Sequence, residues 1–202
     1  MGEFTNSAKS ECIEFYGANK SETAEEKDMN TLIIYGSQYG TAKQYAEKFA
    51  EMTHFPVIGY EDIKTLADYE RIIYFGGLYA SGVKGLKNTV KKLSPDTRLI
   101  VVTVGLADVS DKENIKNIGN SVRKQVPEHL LKSLSVFHLR GGIDYGKLNF
   151  KHKIMMKIVY HSIKNKPTEN LTQEDKAFIE TYNKKVDFVD YDSLKQIVDA
   201  IQ

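Results

Sequence analysis

Short apolar runs rich in β-branched residues recur along the chain, and polar stretches with helical spacing separate them. Thr31-Leu-Ile-Ile-Tyr-Gly36 is the first run. Pro56–Tyr60, Arg71–Gly76, Arg98–Val104 and Leu134–Leu139 follow it. Runs without alternation read as strands covered on both faces, the signature of a parallel sheet. After the first run, Ala42, Tyr45, Ala46, Phe49 and Ala50 fall on one helical face. Val83–Leu93 and Lys112–Gln125 carry similar patterns, and a last helix is expected to begin within Val186–Leu194 and end near Ile201. Strands alternating with helices predict an α/β three-layer sandwich built on a five-stranded parallel sheet.

The turn between the first strand and its helix carries the most chemistry. Ser37, Gln38, Tyr39, Gly40, Thr41 and Ala42 connect the two elements. A loop of Gly and hydroxyl residues opening a helix presents backbone N–H groups to an anion. Ser37, Gln38 and Thr41 are neutral donors, and the loop contains no Lys or Arg. That composition predicts a phosphate monoester held by hydrogen bonds rather than by charge. The Gly-x-Gly-x-x-Gly of dinucleotide sites and the Lys-Ser/Thr ending of triphosphatase loops are both missing.

Gly36-Ser-Gln-Tyr-Gly-Thr-Ala42 resembles the first loop of the flavodoxin family, which binds the phosphate of FMN. Tyr39 stands where that family usually has Thr. The resemblance implies strand order 2-1-3-4-5, which gathers the loops after strands one, three and four at one edge. It further implies that Ser37, Gln38, Tyr39, Gly40, Thr41 and Ala42 surround the phosphate. Gly77, Leu78, Tyr79, Ala80, Gly105, Leu106, Ala107 and Asp108 are then expected around the flavin ring. The segment Gly76–Gly85 holds four glycines, which permit close backbone approach, and Tyr79 is a candidate to stack on the ring. No aromatic residue occurs between Tyr79 and Phe137, so the outer ring face is expected to be open or covered from elsewhere.

Beyond the fifth strand the chain inserts about forty residues (140–187) before its last helix. From Gly146 to Thr168 there are six lysines and two histidines and no acid. Ile154, Met155, Ile158, Val159 and Ile163 form an apolar stripe among Lys151, Lys153, Lys157 and Lys164. This layout resembles the flavodoxin-like protoporphyrinogen oxidases of bacteria, which are menaquinone-dependent and membrane-associated. The implied partner is a quinone or another redox partner, with peripheral membrane contact through 147–166. Packing of the stripe on the sheet, with the lysines facing water, stays open beside it. The resemblance identifies no catalytic residue.

Composition narrows the choice between functions. With 28 basic and 27 acidic residues, the formal net charge is +1, and the chain lacks the acidity of flavodoxin electron shuttles. An FMN oxidoreductase is therefore preferred. An electron-transfer flavodoxin and a flavodoxin-shaped module that has lost flavin remain as alternatives. Nucleic acid is not an expected partner. The single cysteine, Cys12, forbids an intrachain disulfide, and the five histidines show no metal-ligand spacing. His138 is expected to be a satisfied sheet residue. Residues 1–28 form a polar tail with no signal-peptide pattern, and 29–202 form the domain. A cytoplasmic location, peripheral at the inner face of the membrane at most, is the expectation.

Overall fold

The computed structural model describes residues 29–79 and 82–201. The polar segment 1–28 (with Cys12), Ala80, Ser81 and Gln202 lie outside the described residues. The strands are β1 (Thr31–Gly36), β2 (Val57–Gly59), β3 (Arg71–Tyr79), β4 (Gly82–Val83), β5 (Arg98–Gly105), β6 (Ser135–Arg140), β7 (Gly142–Asp144) and β8 (Lys185–Asp187). The helices are α1 (Thr41–Thr53), α2 (Leu86–Val90), α3 (Lys112–Arg123), α4 (Phe150–Lys164), α5 (Gln173–Thr181) and α6 (Lys195–Asp199).

Five parallel strands run in the order β2-β1-β3-β5-β6; the strand–helix alternation predicts a parallel sheet, and this order is the one the flavodoxin resemblance implies. Their apolar runs are buried from both sides. Leu32, Ile34, Ile72, Tyr74, Leu99 and Val101 pack with Leu86, Val90, Ile118 and Val122 of α2 and α3. Ile33, Ile73, Phe75, Ile100 and Val102 pack with Tyr45, Ala46 and Phe49 of α1 and with Ile197. Each fully buried large side chain contributes roughly 1.5–3 kcal/mol. A five-residue helix such as α2 cannot sustain itself, so burial of Leu86, Thr89 and Val90 holds it in place.

Several elements depart from the sequence pattern. The third strand continues through Gly77 to Tyr79, and β4 folds back antiparallel on it, pairing Leu78 with Val83. The helical pattern from Val83 to Leu93 shrinks to α2, because Val83 is drawn into this hairpin. A Cβ on Gly36 would lie 2.0 Å from the Lys84 carbonyl, and one on Gly76 would lie 2.0 Å from Val83 Cγ1. Both glycines therefore let β4 lie across the ends of β1 and β3. Val186 does not begin the last helix. It pairs with Ile143 in a separate two-stranded antiparallel sheet of β7 and β8, and a 3-10 turn, Tyr191–Leu194, leads into α6.

Residues 140–187 form a subdomain with its own small core. Ile143, Tyr145, Leu148 and Met156 are buried together, with Tyr39, Leu106, Phe178, Tyr182 and Val186 packed against them. Two members of this cluster, Tyr39 and Leu106, belong to the loops after β1 and β5. The insertion is thus built onto the carboxyl edge of the sheet.

Candidate cofactor-binding site

A cavity of about 430 Å³ opens at that edge. Ser37, Tyr39, Thr41, Ala42, Gly77, Leu78, Tyr79, Gly105 and Leu106 line it, so three segments far apart in sequence meet as the strand order requires. Gln38, Gly40, Ala107 and Asp108 lie outside the lining, and Ala80 lies outside the described residues. Asp108 is exposed and turned to its own loop. Its carboxylate accepts the N–H and the hydroxyl of Ser110, each at 2.8 Å, and these bonds lower its pKa.

The loop before α1 turns through Gly40, whose φ of +96° is left-handed and suits glycine. Ser37 Oγ accepts the Gly40 N–H at 3.0 Å. The Thr41 hydroxyl donates to the Gly142 carbonyl at 3.0 Å, which ties the loop to the start of the insertion. The N–H groups of a first helical turn have no partner within their helix, so the end of α1 is suited to an anion. Tyr79, a candidate to stack on the ring, lines the cavity and also braces the loop. Its hydroxyl accepts the Gln38 N–H at 3.2 Å, and its ring meets Tyr39 edge-on at 5.9 Å. Burial raises the pKa of this phenol, so Tyr79 is a neutral brace for the loop.

The loop carries no charge of its own, but tertiary contacts bring a cation to it. Lys84 Nζ donates to Gln38 Oε1 at 2.8 Å, and His152 Nε2 lies 2.6 Å from Gln38 Nε2. Neither residue is near the loop in sequence.

The insertion builds the remaining wall from Met155, Met156, Val159, Ile163 and Phe178. The Tyr39 hydroxyl reaches Met156 Sδ at 3.2 Å. This wall comes from the insertion, not from the loop after β5. The stripe on α4 is therefore split. Its Met155, Val159 and Ile163 face the cavity, while Ile154 (45% exposed) and Ile158 (65%) face solvent beside Phe150 (79%).

Glu174 escaped the sequence analysis. Helix α5 opens with a capping box between Thr172 and Asp175, a signal legible in Thr172-x-x-Asp175, and this box sets the adjacent Glu174 toward the cavity. The Glu174 carboxylate accepts the main-chain N–H groups of Leu106 and Ala107, both at 3.3 Å. Desolvation raises its pKa, partly offset by those two bonds and by Arg140. Arg140 Nη2 donates to the Leu106 carbonyl at 3.2 Å, and its guanidinium lies 3.9 Å over the Phe188 ring. Acid and base thus flank the loop after β5.

The residues present fit FMN. The cavity is of the size that cofactor sites occupy, about 300–1,000 Å³. It joins a helix N-terminus with two hydroxyls to a slot of glycines and apolar side chains. A Cβ on Gly105 would lie 2.5 Å from Glu174, and one on Gly141 2.7 Å from Val104, so these glycines keep the slot open.

A family profile described as a flavodoxin domain matches residues 32–170. A search of curated proteins found no match. Among solved structures, a cysteine-to-alanine mutant of flavodoxin from Pseudomonas aeruginosa is 16% identical, with 66% of this chain and 96% of that one covered and a TM-score of 0.37. A protein from Bacteroides eggerthii, provisionally assigned as a flavoprotein, is 13% identical, with 65% and 98% covered and a TM-score of 0.41.

Proposed function

This chain belongs to the flavodoxin family and binds FMN, and from that premise we propose that it is an FMN-dependent oxidoreductase acting on a bulky, apolar substrate such as a porphyrinogen, with a quinone as electron acceptor. The observation that carries this reading is the apolar cavity wall of Met155, Met156, Val159, Ile163 and Phe178. A carrier that only exchanges electrons through an exposed ring edge has no use for a second, flexible apolar surface beside it. Methionines adapt their shape to a ligand at little cost.

FMN, when bound, supplies hydride and electron transfer. The chain supplies binding and protons. Ser37, Thr41 and the end of α1 hold the phosphate, while Gly77, Leu78, Gly105 and Leu106 border the ring. The Glu174 carboxyl, with its raised pKa, can hold a proton at Oε1 or Oε2 beside the cavity. Met156, which is buried, and Phe178 would shield that side of the ring from water.

The outer face of α4 supports peripheral contact with an anionic membrane, where a lipid-soluble quinone would be found. Phe150, Ile154 and Ile158 recur every four residues on this exposed face, among lysines that each add on the order of 1 kcal/mol of attraction to such a surface. No helix among the described residues is long and apolar enough to cross a membrane.

The test is anaerobic. Protein loaded with FMN is mixed with protoporphyrinogen and a menaquinone analogue, and porphyrin fluorescence is followed. Quinone-dependent fluorescence above the uncatalysed rate supports the oxidase reading. Its absence, together with rapid electron exchange with small soluble redox proteins, favours an electron-transfer flavodoxin instead.

A further inference from the structure

We propose that the Lys84 ammonium and the His152 imidazole form a polar clamp on the loop after β1, which makes this chain select the phosphorylated flavin over riboflavin. The proposal rests on the FMN reading above and assigns roles to two residues outside the family's loop.

The geometry turns on the Gln38 amide. Its Oε1 accepts from Lys84 Nζ at 2.8 Å. An ammonium can only donate, so the amide orientation is fixed, with its NH₂ toward His152. His152 Nε2, at 2.6 Å, is therefore the acceptor, and its proton sits on Nδ1. One neutral amide thus occupies a cation and an imidazole at once.

Both groups are anchored beside the loop. The Lys84 carbonyl accepts the Tyr74 hydroxyl and lies where a Cβ of Gly36 would be. Lys84 thus abuts the last residue of β1, directly before Ser37. His152 lies edge-on to Tyr39 at 5.8 Å, and its N–H is capped by Asn149 Oδ1 at 2.9 Å. Gln38 and Tyr39, two residues of the loop, are thereby in contact with side chains from two other elements.

A phosphate dianion is a far better partner for an ammonium than a neutral amide, because charge-assisted bonds are roughly twice as strong. When phosphate occupies the end of α1, the Gln38 side chain gives up Lys84 to the anion, and His152, freed from the amide, can rotate or change tautomer to present an N–H to it. The hydrogen-bonding loop supplies shape, Lys84 supplies charge, and His152 supplies a further hydrogen bond. Riboflavin has no phosphate and gains nothing from them.

The experiment is titration of the full-length protein with FMN and with riboflavin, read by quenching of flavin fluorescence, for the wild type, K84M, K84R and H152Q. K84M and H152Q should each bind FMN about tenfold more weakly, with riboflavin affinity unchanged and K84R close to wild type. Equal losses for both flavins would assign the two residues to packing and overturn the clamp. Unchanged FMN affinity in K84M and H152Q would overturn it as well, with the FMN reading intact. A wild type that binds no FMN would overturn the cofactor reading and the clamp with it.

Discussion

The Glu174 carboxylate accepts the main-chain N–H of Ala107 at 3.3 Å, across 67 residues of sequence, and so joins the insertion to the loop after β5. The same carboxylate bonds the Leu106 N–H. An acid buried there has a raised pKa, so it retains a proton in the folded chain at pH values where the unfolded chain has released it. Folding stability from this group falls as pH rises above the ordinary value of 4.5.

Glu174→Gln keeps an acceptor for both N–H groups and removes the charge. Urea unfolding of wild type and variant at a series of pH values should show the variant gaining relative stability as pH rises above 4.5. A constant difference would mean that Glu174 is not desolvated.

His138 on β6 titrates with the opposite sign. Burial lowers its pKa to about 4 from 6.5, and its Nδ1 lies 2.6 Å from Thr103 Oγ1. Its Nε2 is buried with no hydrogen-bond partner among the described residues, so within them the ring is only half satisfied. Between pH 6.5 and 4 the unfolded chain binds the proton more readily, and stability is lost as pH falls through that window. The loss should be on the order of 1–3 kcal/mol, and it should disappear in His138→Asn when unfolding is followed at about pH 7 and about pH 4.5.

Tyr45 connects α1 to the insertion. Its hydroxyl donates to the Arg140 carbonyl at 2.8 Å and accepts the Asp190 N–H at 2.9 Å. Tyr45→Phe leaves both backbone groups without this partner and should cost about 1–3 kcal/mol. Chemical denaturation measures this as a lower midpoint with an unchanged slope.

Gly36→Ala tests the crossing of β4 over β1. The new Cβ would meet the Lys84 carbonyl at 2.0 Å, a backbone atom that cannot swing aside. A loss of about 1–3 kcal/mol or more is expected, read as a lower thermal midpoint, together with weaker FMN binding because Lys84 is displaced.

The exposed face of α4 can be removed without touching the core. The triple change Phe150→Ser, Ile154→Ser, Ile158→Ser should leave the thermal midpoint nearly unchanged, because exposed substitutions usually lie within about 0.5 kcal/mol. Co-sedimentation of the wild type with phosphatidylglycerol vesicles should be lost in the variant. Equal binding of the two proteins would exclude this face as the contact.

The apolar runs and helical spacing were enough to determine the five parallel strands, because a strand buried on both faces needs an uninterrupted apolar run. The strand–loop–helix turn after β1 was legible for a similar reason: Gly40 and Ser37 act through local backbone geometry, which neighbours in sequence set. The insertion was legible as a basic, apolar segment, yet its use was not. Whether Met155 faces a cavity or a sheet, and whether Phe150 faces solvent, depends on what stands opposite. β7 and β8 pair across more than forty residues, and their few positions carry no periodic signal. The contacts of Lys84 and His152 with the loop after β1, and of the acid Glu174 with the loop after β5, were likewise decided by tertiary structure. Hydrogen bonds and Coulomb attraction act over distances in space, and only the folded chain brings residue 38 to residue 152.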